Sequence, residues 1–286
     1  MTITSVKQRI FLVGCGRSGT TLLQCLIAAH SDIFSVPESK FFQYLIPTHE
    51  PRRLMFGLTS QQFHPWITQF CEDMGHPELA SSWSKYPLPI AWQAEKFVHD
   101  LDTITRQTGH HIWLEKSPKH LHYLKYVERY VPDVKIIHLV RSGTDVVASL
   151  YDAARKYPQK WGYEHGTIEQ CVQRWLTDIQ VTQQYLAKPN HTLVRYESLV
   201  ANPEQSMRDL CDFLAIPFEP TMLEDYKVTA KPLMKNRYEN CEPAVTEQIQ
   251  NANATKFFTL FSEEEQAYIQ EKLAGVDLEH LSAIAS

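Results

Sequence analysis

The chain contains 286 residues, of which 43% are hydrophobic and 21% are charged, and its formal net charge is −5. This composition supplies a full hydrophobic core, and the acidic balance argues against a protein that binds nucleic acid. The N-terminus lacks the apolar stretch of a signal peptide, and no run reaches the roughly 18 apolar residues of a membrane span. The six cysteines are scattered and form no CxxC pair. We therefore expect free, mostly buried thiols, a cytoplasmic location and no membrane span.

Predicted strands and helices alternate along the chain. Strands are predicted at residues 9–13, 135–140 and 191–194, which are short runs rich in β-branched and other apolar residues. Helices are predicted at 20–29, at about 61–73 after an N-cap at Ser60, and at 89–107. Another helix begins at about 145, and a separate one starts at a capping box of Thr167 and Gln170 and ends at about 187. Two further helices are predicted, one at 203–214 after an N-cap at Asn202 and one that starts at a capping box of Ser262 and Glu265.

This alternation predicts an α/β, three-layer P-loop-like fold, in which a central, mainly parallel sheet is flanked by helices. We find no repeat, low-complexity tract or obvious linker. The sequence is therefore interpreted as a single domain over residues 1–286, with a helical insertion at about 50–110.

A glycine-rich loop follows the first predicted strand. The segment GCGRSGTT at residues 14–21 has the GxxxxG spacing of a phosphate-binding loop and stands between a strand and a helix. Thr20 occupies the position where an ATP-binding loop has lysine, whereas Arg17 supplies a fixed positive charge within the loop. Ser18, Thr20 and Thr21 add hydroxyl donors, so the loop is predicted to bind a single 5′-phosphate. A plain glycine turn is the alternative.

A second motif follows the strand predicted at residues 135–140. Arg141 directly follows this strand, and Ser149 lies eight positions later in the next predicted helix. Ligands of open α/β sheets bind at the carboxyl ends of the strands, so Arg141 and Ser149 are predicted to clamp a second phosphate. An arginine ion pair and a serine on the helix surface are the alternative.

These segments resemble motifs of a known family. GRSGTT at 16–21 looks like the 5′-phosphosulfate loop of sulfotransferases that use 3′-phosphoadenosine 5′-phosphosulfate (PAPS). Arg141 with Ser149 resembles the 3′-phosphate motif of that family. PESKFF at 37–42 and EKSP at 115–118 resemble segments of its heparan-type members, and RYESL at 195–199 resembles a tyrosine–glutamate segment of many members. The five segments span less than half of the chain but follow the family's order. They are closest to heparan-type, Golgi-type and tyrosylprotein sulfotransferases, here in a soluble bacterial-like form.

The resemblance implies roles for individual residues. Glu38 is implied as the general base, Lys116 as a cation near the transferring sulfuryl group, and Arg17 as a further catalytic cation. The implied PAPS-binding residues are Gly16, Arg17, Ser18, Gly19, Thr20, Thr21, Arg141, Ser149, Tyr196 and Lys235. A basic C-terminal loop that contacts the 3′-phosphate in the family corresponds here to Lys231, Lys235 and Arg237.

The chain also departs from the cytosolic class of the family. Leu22 replaces the tryptophan that follows the two threonines in that class, so the adenine must stack elsewhere. The histidine base of that class has no well-placed counterpart here.

The predicted function is transfer of a sulfuryl group from PAPS to an acceptor hydroxyl by in-line displacement, with Glu38 as base and no metal. The 13 histidines show no metal-ligand spacing. The acceptor is left open among a small molecule, a glycan, a lipid and a phenolic or tyrosyl hydroxyl, and a homodimer is also left open. The alternatives are a P-loop small-molecule kinase that uses ATP and magnesium, a non-catalytic nucleotide-binding module and a purely structural α/β protein.

Overall fold

The computed structural model describes residues 5–234, 249, 255–279 and 281. The strands within these residues are β1 (Gln8–Gly14), β2 (Ile33–Ser35), β3 (Ile112–Lys116), β4 (Val134–Val140) and β5 (His191–Arg195). They form a sheet in the order β2-β3-β1-β4-β5, and the pairs β1–β3, β2–β3 and β4–β5 are parallel. The predicted parallel α/β sheet is confirmed.

Helices connect these strands. Within the described residues they are α1 (Thr20–Ala28), α2 (Phe41–Leu45), α3 (Pro51–Met55), α4 (Phe63–Asp73), α5 (Ile90–Gln107), α6 (Leu124–Tyr130), α7 (Gly143–Lys156), α8 (Tyr163–His165), α9 (Ile168–Leu186), α10 (Tyr196–Ala201), α11 (Pro203–Leu214), α12 (Thr221–Glu224), α13 (Tyr226–Met234), α14 (Lys256–Leu260) and α15 (Glu263–Leu273). In this part of the chain, none of them is long and apolar enough to cross a membrane. The cytoplasmic location stays a prediction.

Local sequence signals located most of the helix ends correctly. The capping boxes predicted at Thr167 and Ser262 are both present. The N-cap predicted at Ser60 is wrong. The Ser60 hydroxyl accepts the N–H of Gln62 in a local turn, and α4 begins only at Phe63. A serine three residues before the first residue of a helix satisfies a turn amide as readily as a helix amide, so the side chain alone does not define the start.

Two strands were not predicted. β2 contains only three residues, too few for a periodic pattern. β3 ends in Glu115 and Lys116, which are both buried. Charged residues are rarely buried unless they are paired, so this strand does not resemble a buried strand in sequence.

The chain divides into two compact units. The first contains the described parts of Met1–Leu12, Gln24–Lys135 and Glu219–Pro243, and the second contains those of Val13–Leu23, Ile136–Phe218 and Ala244–Ser286. The single domain over residues 1–286 and the helical insertion at about 50–110 stay predictions. The five cysteines among the described residues are free and buried, as predicted.

Aromatic side chains form part of the core of the first unit. Phe41 stacks on Phe97 of α5 with 3.8 Å between the ring centroids, and Phe42 packs near Phe11 of β1. Phe41 and Phe42 are almost completely buried, and burying one such side chain stabilises a fold by about 1.5–3 kcal/mol. Because α2 carries both rings, this packing anchors the segment that follows Glu38.

The core of the second unit includes apolar residues of α7, α9, α14 and α15. Val147, Trp175, Phe257 and Ile269 all belong to this cluster. The Nε1–H of Trp175 also donates to the backbone oxygen of Arg141 at 3.1 Å. This bond attaches the end of β4, and therefore the second predicted motif, to α9.

Candidate functional sites

The glycine-rich loop joins the end of β1 to α1. Its backbone passes through positive φ angles at Gly14 (154°), Arg17 (71°) and Gly19 (96°). The N–H of Ser18 donates to the backbone oxygen of Cys15 at 3.3 Å and closes the turn. A residue with a Cβ rarely adopts positive φ, so the left-handed conformation of Arg17 must be stabilised by its surroundings.

At two positions of the loop, neighbouring atoms leave no space for any side chain larger than that of glycine. A Cβ on Gly14 would lie 2.4 Å from the backbone oxygen of Leu139 in β4. A Cβ on Gly19 would lie 2.5 Å from Cε2 of Tyr196. Atoms do not approach so closely without displacement, and both glycines also have positive φ. The GxxxxG spacing is therefore required by packing as well as by backbone conformation.

Arg17 connects this loop to the second predicted motif. Its Nε donates to Oγ of Ser149 at 3.1 Å, and its guanidinium lies 6.0 Å from the ring centroid of Trp161. The same tryptophan ring is the nearest group, at 3.9 Å, to a Cβ added at Gly16. The two motifs, which were predicted separately from the sequence, therefore meet in the second unit.

Arg141 is buried, with 3% of its surface exposed. Its Nε and Nη2 donate to Oδ2 of Asp145 at 3.2 and 2.7 Å, and its Nη1 lies 3.5 Å from the backbone oxygen of Arg17. The guanidinium also lies 4.4 Å from the ring centroid of Tyr196, within the range of a cation–π contact. The ion pair that was the alternative for Arg141 is therefore present. Ser149, however, is buried rather than on the helix surface.

The predicted hydroxyl donors differ in exposure. Ser18 and Thr20 are buried, whereas Thr21 is half-buried. Within the described residues, Oγ of Ser18 has no hydrogen-bond partner. Buried polar groups almost always have a partner, so an unpaired hydroxyl in a phosphate-type loop fits an anion as its missing acceptor.

Tyr196 begins α10 directly after β5. Burial, together with the nearby carboxylates of Asp145 and Glu197, raises the pKa of Tyr196 above its usual value, although Arg141 acts in the opposite direction. The hydroxyl therefore stays protonated at neutral pH and can donate a hydrogen bond. The side chains of Lys231, Lys235 and Arg237 lie outside the described residues.

The first unit contains the other predicted catalytic residues. Nζ of Lys116, at the end of β3, lies 2.9 Å from Oε2 of Glu38, and Nζ of Lys40 lies 3.7 Å from Oε1 of the same carboxylate. Only 4% of the Lys116 side chain and 16% of the Glu38 side chain are exposed. Burial strengthens such a pair and makes the loss of either partner costly.

A second carboxylate, Glu115, is buried next to Lys116 in the sequence. Its Oε1 accepts hydrogen bonds from the N–H and the hydroxyl of Ser39, at 3.1 and 2.7 Å, and from the hydroxyl of Ser117. Its Oε2 lies 2.9 Å from Nδ1 of His120. Burial alone would raise the pKa of Glu115, but the contacts with His120, Ser117 and Ser39 outweigh it, so this pKa lies below its usual value.

Three neighbours of these sites were missed from the sequence. Asp145 could have been found, because it stands four residues after Arg141 at the start of a helix. Trp161 and His120 carry no such local signal, because only tertiary packing brings them to the loop and to Glu115. The histidines were expected to be ordinary residues, and His120 is a buried one whose two ring nitrogens are both hydrogen-bonded.

The comparison with known families agrees with these features. Residues 9–220 match the model described as the Sulfotransferase family. Because this match covers most of the chain, the chain belongs to the sulfotransferase family.

Curated relatives are longer than this chain. It is 27% identical over 235 residues to a protein-tyrosine sulfotransferase of Drosophila melanogaster, and 26% identical over 237 residues to an uncharacterized protein of Aquifex aeolicus (strain VF5). These alignments cover 78% and 79% of this chain, but only 41% and 28% of the two relatives. The chain therefore spans less than half of the length of either protein.

Solved structures support the fold. The sulfotransferase domain from the curacin biosynthetic pathway has a TM-score of 0.62 and 23% identity, with 93% of this chain and 96% of that domain covered. The sulfotransferase domain from the Synechococcus PCC 7002 olefin synthase has a TM-score of 0.61 and 20% identity, with 97% and 98% covered. The predicted P-loop-like sulfotransferase fold is confirmed.

Proposed function

We propose that this chain transfers a sulfuryl group from PAPS to an acceptor hydroxyl. The observation that carries the proposal is the hydrogen bond between Arg17 and Ser149, which joins the glycine-rich loop to the second anion motif. A donor with two separate phosphate groups suits two adjacent anion motifs, and membership of the sulfotransferase family supports sulfuryl transfer.

The proposed donor-binding residues of the second unit divide between the two phosphates. The loop and the start of α1 would hold the 5′-phosphosulfate, and the unpaired hydroxyl of Ser18 supports this assignment. Arg141, Ser149 and Tyr196 would hold the 3′-phosphate. Together with Lys235, which is not among the described residues, the full proposed set is Gly16, Arg17, Ser18, Gly19, Thr20, Thr21, Arg141, Ser149, Tyr196 and Lys235.

The proposed chemistry is an in-line displacement. PAPS supplies the sulfuryl group and a phosphate leaving group. Glu38 would take the proton of the acceptor hydroxyl as the new sulfur–oxygen bond forms and the bond to the 5′-phosphate breaks. A general base of this kind typically contributes about 10²–10⁴-fold to the rate. Arg17 would stabilise the charge on the leaving phosphate and Lys116 the charge on the sulfuryl oxygens.

The acceptor is proposed only as a hydroxyl compound. Several relatives are named protein-tyrosine sulfotransferases, which makes a tyrosyl hydroxyl one candidate. Small molecules, glycans and lipids are the others. A first acceptor panel would contain N-acetyltyrosine amide, 2-naphthol and an alkyl galactoside.

Calorimetric titration tests the donor site without an acceptor. Wild-type protein and Arg141→Ala would be titrated with 3′-phosphoadenosine 5′-phosphate, with ADP, and with ATP plus magnesium. We expect the wild-type protein to bind the 3′,5′-bisphosphate with micromolar affinity and ATP much more weakly. In Arg141→Ala the affinity for the bisphosphate should fall by at least about tenfold, because a charge-assisted contact is lost. Tight ATP binding that is indifferent to a 3′-phosphate would contradict the proposal and favour the kinase alternative.

A further inference from the structure

The backbone that follows Glu38 is held by three side chains. The N–H of Lys40 donates to Oγ of Ser117 at 2.8 Å. The N–H of Phe41 donates to Oγ of Ser39 at 3.1 Å, and the N–H of Phe42 donates to Nε2 of His120 at 3.1 Å. Three consecutive amides at the start of α2 are therefore satisfied by side chains rather than by a helical turn.

All three of these side chains donate in turn to Glu115. The hydroxyls of Ser39 and Ser117 donate to its Oε1, and Nδ1 of His120 donates to its Oε2. Because Nε2 of His120 accepts the amide of Phe42, the ring is a neutral imidazole with its proton on Nδ1. Glu115, Ser39, Ser117 and His120 thus form one buried network, in which 1% or less of each residue is exposed.

This network includes direct sequence neighbours of both members of the Glu38–Lys116 pair. Ser39 directly follows Glu38, whereas Glu115 and Ser117 directly flank Lys116. Lys40 has a left-handed backbone conformation (φ 48°, ψ 27°), which turns the chain between Glu38 and α2. A residue other than glycine in this conformation needs support from its surroundings, and the bond from its N–H to Ser117 supplies it.

We propose that Glu115 is a positioning residue that sets Glu38 against Lys116 by holding residues 39–42 through Ser39, Ser117 and His120. Its catalytic consequence rests on the proposed function, because Glu38 and Lys116 are proposed there as base and cation. The positioning itself is a property of the first unit and can be tested without any acceptor.

Glutamine cannot replace Glu115 in this network. If the side-chain NH2 of the glutamine faced the serines, this donor would face another donor, the N–H of Ser39. If the NH2 faced His120, Nδ1 would have to accept and the histidine proton would move to Nε2. The Nε2–H would then face the N–H of Phe42, which is again a donor. In either orientation a buried donor is left without an acceptor.

The test compares wild type with Glu115→Gln and Ser117→Ala, and uses Ser35→Ala as the matched control. Ser35 lies in the same unit but outside the network. Its hydroxyl accepts a hydrogen bond from Nε2 of Gln24 and lies 3.4 Å from the backbone oxygen of Leu114. The first readout is trace acetylation of Lys116 by acetic anhydride, with the exposed Lys125 as internal reference. The second is amide hydrogen exchange at Lys40, Phe41 and Phe42. The third is turnover of PAPS with the acceptor panel.

We expect Lys116 to be acetylated at least about fivefold faster in Glu115→Gln and Ser117→Ala, and residues 40–42 to exchange faster, while Ser35→Ala behaves as wild type. Where turnover is measured, kcat should fall about tenfold or more with the KM for PAPS within about twofold, because a misplaced base costs rate rather than donor binding. If Glu115→Gln does not fold, Ser117→Ala carries the test. Wild-type acetylation and exchange in the folded variants would overturn the positioning role. Failure of the wild-type protein to bind the 3′,5′-bisphosphate would instead contradict the proposed function alone.

Discussion

The ring of Tyr196 packs so closely on Gly19 that an added Cβ would lie 2.5 Å from its Cε2. The aromatic residue that begins α10 thus limits the size of the residue that the phosphate-type loop tolerates at Gly19, the second glycine of the GxxxxG spacing. Tyr196 also faces the guanidinium of Arg141 at 4.4 Å. One ring therefore contacts both predicted anion motifs, and a change at Gly19 should disturb both.

Gly19→Ala should weaken binding of 3′-phosphoadenosine 5′-phosphate by at least about tenfold, because the methyl group must displace Tyr196 and the loop has a positive φ there. Calorimetric titration measures the effect. Gly162→Ala is the matched control, since Gly162 has a φ of −64°, its added Cβ has no neighbour closer than 3.5 Å, and it is not among the proposed donor-binding residues. Equal affinities of Gly19→Ala and wild type would show that this contact does not control the loop.

Asp145→Asn should tighten binding of the same bisphosphate by about three- to tenfold. Asp145 accepts two hydrogen bonds from Arg141 in this structure, so a bound anion would compete with its carboxylate. The substitution should also lower the free energy of unfolding of the ligand-free protein by about 3 kcal/mol, because a buried arginine loses its counter-charge. Calorimetry and urea unfolding measure the two effects.

Asp152→Asn is the control for that substitution. Asp152 lies on the same helix, α7, and is paired with Lys256 and Lys156 rather than with Arg141. It should leave the bisphosphate affinity unchanged. Unchanged affinity in Asp145→Asn would mean that Asp145 does not compete with the bound anion, and weaker affinity would mean that it supports Arg141 as an anion site.

Glu38→Gln should reduce turnover of PAPS by about 100-fold or more while the affinity for the 3′,5′-bisphosphate stays within about twofold, because the amide cannot take up the proton of the acceptor hydroxyl. The substitution also removes a charged partner of the buried Lys116, so urea unfolding checks that the variant is folded. Steady-state kinetics with an accepted hydroxyl compound and calorimetry provide the two measurements. Glu95→Gln, at an exposed position of α5, is the control. Near-normal turnover in Glu38→Gln would exclude Glu38 as the base.

His138 should make the stability depend on pH below neutrality. Its Nε2 lies 2.8 Å from Nδ1 of His191 on the neighbouring strand, and both rings are buried. Burial, and then the proximity of His191, lower the pKa of His138 to about 3, whereas an unfolded histidine titrates near 6.5. As pH falls below about 6.5, the unfolded chain binds a proton that the native protein does not. The free energy of unfolding therefore decreases by about 1.4 kcal/mol for each pH unit below about 6.5, until the pH approaches 3.

Urea unfolding between pH 4.5 and 7.5 would measure this loss. In His138→Gln the slope of the unfolding free energy against pH should decrease by about that amount below pH 6. His99→Gln, at an exposed position of α5, should keep the wild-type slope. Identical slopes in wild type and His138→Gln would show that His138 is protonated in the native state as readily as in the unfolded chain.

Features that depend on neighbouring residues were determined by the sequence itself. The glycine-rich loop between β1 and α1, the capping boxes at Thr167 and Ser262, and the start of α11 at Pro203 all follow from backbone preferences within a few residues. Such preferences need no information about distant parts of the chain. They were sufficient for the fold class, whereas the family was indicated by the resemblance of five segments to sulfotransferase motifs.

Contacts between distant residues were decided only by the tertiary structure. The Arg17–Ser149 bond joins residues 132 positions apart, and the Lys116–Glu38 bond joins residues 78 positions apart. β3 was missed for the same reason, because Glu115 and Lys116 are stable inside only where Ser39, His120 and Glu38 supply partners. A buried charge is tolerated when its partner is present, and that partner is fixed by the packing of the whole unit rather than by adjacent residues.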